Sequence, residues 1–146
     1  MNKILTVLAA LVFAMFLSTF ANADPIQIPA KYDLGKQLEE VHWFWNVGYI
    51  DWEAVDNQSV VVETSPGTYY LLVLTIPSYD LPLEPNRIGI TNSGSQVKEG
   101  LDSVIVWSPA HYYNKYPIER IYEIKGSKQM RSVISQLQGQ SETHNY

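Results

Sequence analysis

At 146 residues, with 46% apolar, 12% aromatic and 17% charged side chains, the chain is long enough for one self-supporting core and too apolar for a disordered protein. Ten basic residues against fifteen acidic ones give a net charge of −5, which removes the electrostatic basis for binding nucleic acid or an anionic bilayer surface. There is no cysteine, so disulfides, thiolate metal sites and thiol catalysis are excluded.

The N-terminus carries a leader pattern. Lys3 supplies positive charge, residues 4–20 are almost wholly apolar, and Ala21-Asn22-Ala23 sets small residues at the two positions signal peptidase requires. Residues 1–23 are therefore expected to be a signal peptide, and the product to be exported, periplasmic or secreted. An uncleaved anchor is the alternative, but the run falls short of the about 20 residues of a spanning helix and lacks a basic stop-transfer flank. No membrane span is expected after cleavage. From Asp24 onward nine basic and fifteen acidic residues leave a net charge of −6, because only Lys3 is lost.

Residues 24–46 read as an N-terminal arm, extended around Pro25 and Pro29, followed by a short helix. Leu34, Leu38, Val41 and Trp45 recur at intervals of 4, 3 and 4, which predicts a helix over 34–42 with Asp33 as its N-cap; a strand over 41–50 is the competing reading. Residues 47–125 read as a β-rich domain. Strands are expected at 48–55, 59–64 and 68–76 in meander order, the last two joined by Ser65-Pro66-Gly67-Thr68, where Pro sets φ and Gly supplies a positive one. Pro77, Pro82 and Pro85 make 77–86 an irregular loop. A short strand at 87–91, a turn at 92–95, a strong strand at 101–107, an aromatic-rich loop at 108–116 and an alternating last strand at 117–124 follow. Residues 126–146 read as a short helix over 128–137, with Met130, Val133, Ile134 and Leu137 on one face, and a polar tail. The fold class is mainly β with minor α: a small antiparallel sheet, curled or barrel-like, with a short helix at each end.

Laid end to end, the expected strands carry Trp52-Glu53-Ala54-Val55-Asp56, Tyr70-Leu71-Leu72, Arg87-Ile88-Gly89-Ile90-Thr91, Asp102-Ser103-Val104-Ile105-Val106 and Pro117-Ile118-Glu119-Arg120-Ile121. In that order, over residues 47–124, they resemble a family of small exported bacterial proteins of unknown function. The resemblance implies a compact β-domain and no particular activity. Members of that family commonly carry one cysteine in the Pro-rich loop and another just before the last Pro-Ile, where Ser78 and Tyr116 stand here. Joint loss of both is what a structural disulfide implies, so the resemblance places Ser78 and Tyr116 on neighbouring backbone segments.

No motif assigns a reaction. Asp51 and Glu53 share a face of an extended strand and Asp56 lies close by, an arrangement that acid–base chemistry could use, but solvated positions on a half-exposed sheet explain them equally. His42, His111 and His144 are scattered without metal-ligand spacing. Gly89 to Ser95 has the glycine spacing of a phosphate-binding loop but lacks its lysine, and a turn accounts for it. Asn57-Gln58-Ser59 matches a glycosylation triplet and reads as a turn. No catalytic residue, metal or cofactor is assigned.

The surplus is aromatic: Trp43, Phe44, Trp45, Tyr49 and Trp52 upstream, Trp107, Tyr112, Tyr113 and Tyr116 downstream. Such residues suit a core, an interface or a sugar-stacking platform, and Trp52, Tyr112 and Tyr113 are the candidate binding residues. Asp102, a charge at the head of an apolar strand, is expected to be buried and hydrogen-bonded or paired with Arg87. The functional expectation is a non-enzymatic binding or assembly module of the cell envelope, with an envelope protein or a glycan as its partner. The alternative is a small hydrolase-like enzyme using Asp51, Glu53 or Asp56.

Overall fold

Two runs rich in Val, Leu and Tyr form the centre of the sheet. β4 (Ser59–Ser65) and β5 (Thr68–Leu74) pair antiparallel and turn through Pro66 and Gly67, whose φ of +81° suits glycine alone. The computed structural model describes residues 27–46, 48–49, 51–83, 88–107 and 113–142. The segment expected to be a leader, 1–23, and Arg87, His111, Tyr112 and His144 lie outside these residues.

The remaining main strands are β3 (Asp51–Ala54), β6 (Ile88–Ile90), β8 (Ser103–Trp107) and β9 (Tyr113–Lys125), in the order β3-β4-β5-β9-β8-β6. β1 (Glu39–Glu40) adds to β9, and β2 (Trp43–Trp45) pairs separately with β7 (Gln96–Lys98). The result is a curled antiparallel half-barrel with one C-terminal helix, α1 (Ser127–Glu142). β9 makes the curl: Tyr113 to Pro117 pair with β8, and Ile118 to Lys125 pair with β5. Pro117, which has no N–H to give a ladder, sits where β9 changes partner, and its carbonyl accepts Thr75 N at 2.9 Å and Thr75 Oγ1 at 3.1 Å.

β4 and β5 are buried on both faces, so their side chains divide between two cores. On one face Val61, Leu71, Val73, Tyr122 and Ile124 meet Val133, Ile134 and Leu137 of α1 and the N-terminal residues Tyr32, Leu34 and Leu38. Inside the curl, Val60, Val62, Leu72, Leu74, Ile118 and Ile121 meet Val104, Val106, Ile88, Leu81 and the ribbon residues Phe44 and Val97. Each of these aliphatic side chains contributes about 2 kcal/mol by leaving water, which is how the chain holds together with no disulfide.

The helix expected over 34–42 is not formed. Gln37 N and Leu38 N both bond Leu34 O, at 2.8 and 2.9 Å, and so make one turn that buries Leu34 and Leu38; Ala30–Tyr32 forms a short 3-10 turn before it. The chain then joins the sheet, with Glu39 opposite Glu123, Glu40 opposite Tyr122 and Val41 N on Ile121 O at 2.9 Å. One turn followed by a strand reproduces the 4, 3, 4 spacing locally, and the unpaired β9 edge decides between the two outcomes. Trp45, the last residue of that spacing, lies in β2 and is 57% exposed. Two boundaries also move. β9 starts at Tyr113 rather than 117, so Tyr113 lies in a strand, and α1 runs on to Glu142.

The loop at 77–83 turns inward at Ser78, whose N donates to Asn57 O at 2.6 Å and whose side chain is fully buried. The Thr75 bonds to Pro117 set the chain entering this turn beside the residue after Tyr116. Ser78 Oγ has no hydrogen-bond partner among the described residues. A buried hydroxyl without a partner costs about 1–3 kcal/mol. Ser78→Ala is therefore expected to raise stability by about 1 kcal/mol in urea denaturation, and a loss of similar size would show that the hydroxyl is satisfied.

Candidate binding surface

Asp56 is the most heavily bonded carboxylate of the three near residue 51. Its oxygens accept from Tyr32 Oη at 2.8 and 2.9 Å, Lys31 Nζ at 2.8 Å, Gln58 N at 2.8 Å and Ser59 Oγ at 2.9 Å. It is structural, pinning the N-terminal segment onto the sheet. Burial first, and then the neighbouring Asp56 charge and hydrogen bond, push the Tyr32 hydroxyl well above the usual phenol range. Tyr122 Oη completes the clasp by donating to Tyr32 O at 2.8 Å.

Asp51 and Glu53 are exposed on the edge strand β3, with Asp51 directly opposite Glu63. With Glu63, Trp52, Val61, Tyr69 and Met130 they line an open, shallow cleft. Charges on an edge strand also deter pairing with a second chain, which gives them a role without chemistry. Among the described residues no group of three His, Asp or Glu is arranged to hold a metal ion.

The expected binding residues are not brought together. Trp52 is half-buried and packs against the inner core. Tyr113 is 61% exposed and stands directly opposite Trp107, whose indole lies over Gly89 on the next strand. Tyr112 lies outside the described residues, as does Arg87.

A different pair of aromatics makes the most coherent exposed surface. On β2, Phe44 points inward and stacks on Tyr70, with centroids 4.2 Å apart and planes 12° apart, so alternation sends Trp43 and Trp45 outward. They are 45% and 57% exposed, and their rings meet edge to face at 5.5 Å and 85°. Register places Lys98 opposite Trp43 and Gln96 opposite Trp45, and directly opposed residues share a face. The outer face of the ribbon thus presents two indoles, one amide and one ammonium. Among the described residues no carboxylate pairs with Lys98 Nζ. At the ribbon end, His42 Nδ1 bonds the Glu99 carboxylate while Glu99 N donates to His42 O at 3.1 Å.

Asp102 holds this ribbon in place. It is 3% exposed; Oδ2 accepts Lys98 N at 2.9 Å, and Oδ1 accepts Thr91 Oγ1 at 3.0 Å and Ser93 Oγ at 3.3 Å. Thr91 Oγ1 in turn accepts Ser103 N at 2.7 Å. Gly100, at φ +69°, closes the turn from Lys98 to Asp102, and its N donates to Ile118 O at 2.7 Å. One buried carboxylate therefore ties the end of β7 to the segment after β6 and to the start of β8.

Trp43 and Trp45 stood in the sequence among the aromatic surplus. The signal that singles them out is the Trp-Phe-Trp alternation, which means two faces only if the segment is a strand. Among curated proteins and among solved structures, no match is found for this chain. A family model does match, over residues 2–140, nearly the whole chain and in agreement with the ordered strand motifs. The chain belongs to a family of unknown function, DUF6491.

Proposed function

We propose that the protein is an exported, non-enzymatic binding module of the cell envelope, and that the outer face of the β2–β7 ribbon is its docking surface. The leader pattern at residues 1–23 supports the export. The observation that carries the docking surface is the exposed Trp43–Trp45 pair on a strand whose intervening residue is buried. Covering the open half of each indole, on the order of 100 Å², returns roughly 2 kcal/mol per ring. Exposed indoles of this kind are the residues on which binding energy concentrates.

The test is thermal stabilisation of the chain from Asp24, screened against glycans, peptidoglycan fragments and envelope proteins, beside the Trp43→Ala/Trp45→Ala variant. Because both side chains are on the surface, the variant is expected to melt within about 3 °C of the parent. A compound present at a hundred times its Kd stabilises the parent by about 2.7 kcal/mol and is expected to leave the variant unmoved. Equal stabilisation of both would remove the ribbon from the reading.

The second reading, a small hydrolase-like enzyme, draws on the cleft that gathers Asp51, Glu53 and Glu63. Asp56 does not join them, since its oxygens are fully occupied. Hydrolysis of a glycan fragment that disappears in Asp51→Asn/Glu53→Gln would favour this reading over the first.

A further inference from the structure

We infer that the ribbon takes a saccharide chain bearing a carboxylate. This rests on the docking reading above and names the class of occupant. An indole face stacks against the apolar C–H face of a pyranose ring, whose hydroxyls then project sideways toward hydrogen-bonding neighbours. Gln96 and Lys98 stand in that position by register, one beside each indole.

Size and charge separate this occupant from others. Among the described residues the face offers two rings, flanked by an amide, an ammonium, the His42–Glu99 pair and, in the turn after β7, the exposed Leu101, a smaller surface than the about 800 Å² each partner contributes to a stable protein interface. An anionic bilayer would meet a single ammonium on a chain of net charge −5, although polybasic clusters are what such surfaces attract. Single-stranded nucleic acid stacks on aromatics too, but it needs a basic groove along its phosphates. A short saccharide needs only the two rings and their polar flank. Lys98, with no carboxylate partner among the described residues, supplies the ammonium of the face, while the Glu99 carboxylate is taken up by His42, and it selects an acidic sugar over a neutral one.

The experiment is a titration of the chain from Asp24, followed by tryptophan fluorescence and calorimetry, with chitotetraose, an oligogalacturonate, a soluble muropeptide and vesicles of anionic phospholipid. The carboxylated saccharides are expected to bind at least about fivefold more tightly than chitotetraose, with an affinity that weakens as salt rises. Trp43→Ala/Trp45→Ala is expected to lose about tenfold or more for every saccharide. Lys98→Gln is expected to remove the preference for the acidic ones while leaving chitotetraose unchanged. Vesicle binding that the double tryptophan variant abolishes, with every saccharide silent, would overturn the saccharide assignment and keep the ribbon as a docking surface. Saccharide binding unchanged in the double variant would overturn the ribbon itself. A Lys98→Gln protein that keeps the acidic preference would overturn the role given to the ammonium.

Discussion

Replacing Asp56 with alanine is expected to destabilise the protein by about 4 kcal/mol, because it strands several donors at once. The carboxylate is 8% exposed and accepts from Tyr32 Oη, Lys31 Nζ, Gln58 N and Ser59 Oγ. Removal takes the carboxylate from the fully buried Tyr32 hydroxyl, leaving it Ser59 alone, and cuts one of the ties between the N-terminal segment and the sheet. Hydrogen bonds to a charged group contribute about 1.5–3 kcal/mol each, but they share one anchor and do not add. Urea denaturation measures the loss, and a loss below about 1 kcal/mol would mean that the segment is held by Tyr122 and packing alone.

Tyr32→Phe tests the same clasp by a different route. It keeps the ring and deletes one donor, so the expected cost near pH 7 is about 1–2 kcal/mol. The pH dependence carries the sign. Below the free-phenol pKa of about 10 the hydroxyl is protonated in both the folded and the unfolded chain, and its stabilising contribution is complete. Above that pH the unfolded chain sheds the proton while the folded one, with its pKa raised, retains it, so stability falls as pH climbs toward the folded value. Other tyrosines add to the alkaline loss, and the difference between the parent and Tyr32→Phe isolates this one. Parallel curves for the two proteins would show that the hydroxyl is not held as described.

Asp102→Ala is the second large effect, at about 3–4 kcal/mol, and it should act on the surface as well as on stability. Without the carboxylate, Lys98 N and the Thr91 and Ser93 hydroxyls lose their shared acceptor, and the β7 end of the ribbon is left with backbone bonds alone. Near-UV circular dichroism reads the consequence, since the edge-to-face Trp43–Trp45 pair should lose its fixed geometry. Asp102→Asn is expected to be milder, about 1 kcal/mol. The amide oxygen can still take Lys98 N while its NH₂ donates to hydroxyls free to rotate. If asparagine costs as much as alanine, it is the charge, and not the geometry of acceptors, that fixes the turn.

Much of the sheet was legible because its strongest strands are local events. The Pro66-Gly67 turn and the β-branched run Val60-Val61-Val62 specify a hairpin without help from the rest of the chain, and the Met130, Val133, Ile134, Leu137 stripe specifies α1. The helix expected over 34–42 failed for the opposite reason. Its spacing is satisfied by a single turn followed by two short strands, and the choice is made by the distant partners Ile121, Glu123, Val97 and Lys98. The ribbon was illegible on the same grounds, because three-residue strands carry almost no periodicity and a register such as Trp43 against Lys98 is written in neither strand alone. Asp102 announces itself at the head of an apolar strand, but its partners Thr91, Ser93 and Lys98 come from outside that strand.

β9 is the seam on which both sides of the half-barrel close, with β8 along its first residues and β5 along its last. Because it is the final strand of the chain, the β3–β4–β5 meander has no mate on its inner edge until nearly the whole polypeptide is available. Closure then requires residues far apart in sequence to meet, which is the slow kind of folding step. A chain emerging from its N-terminal end would therefore remain pliable until its last third appeared, so that the two cores set together and late.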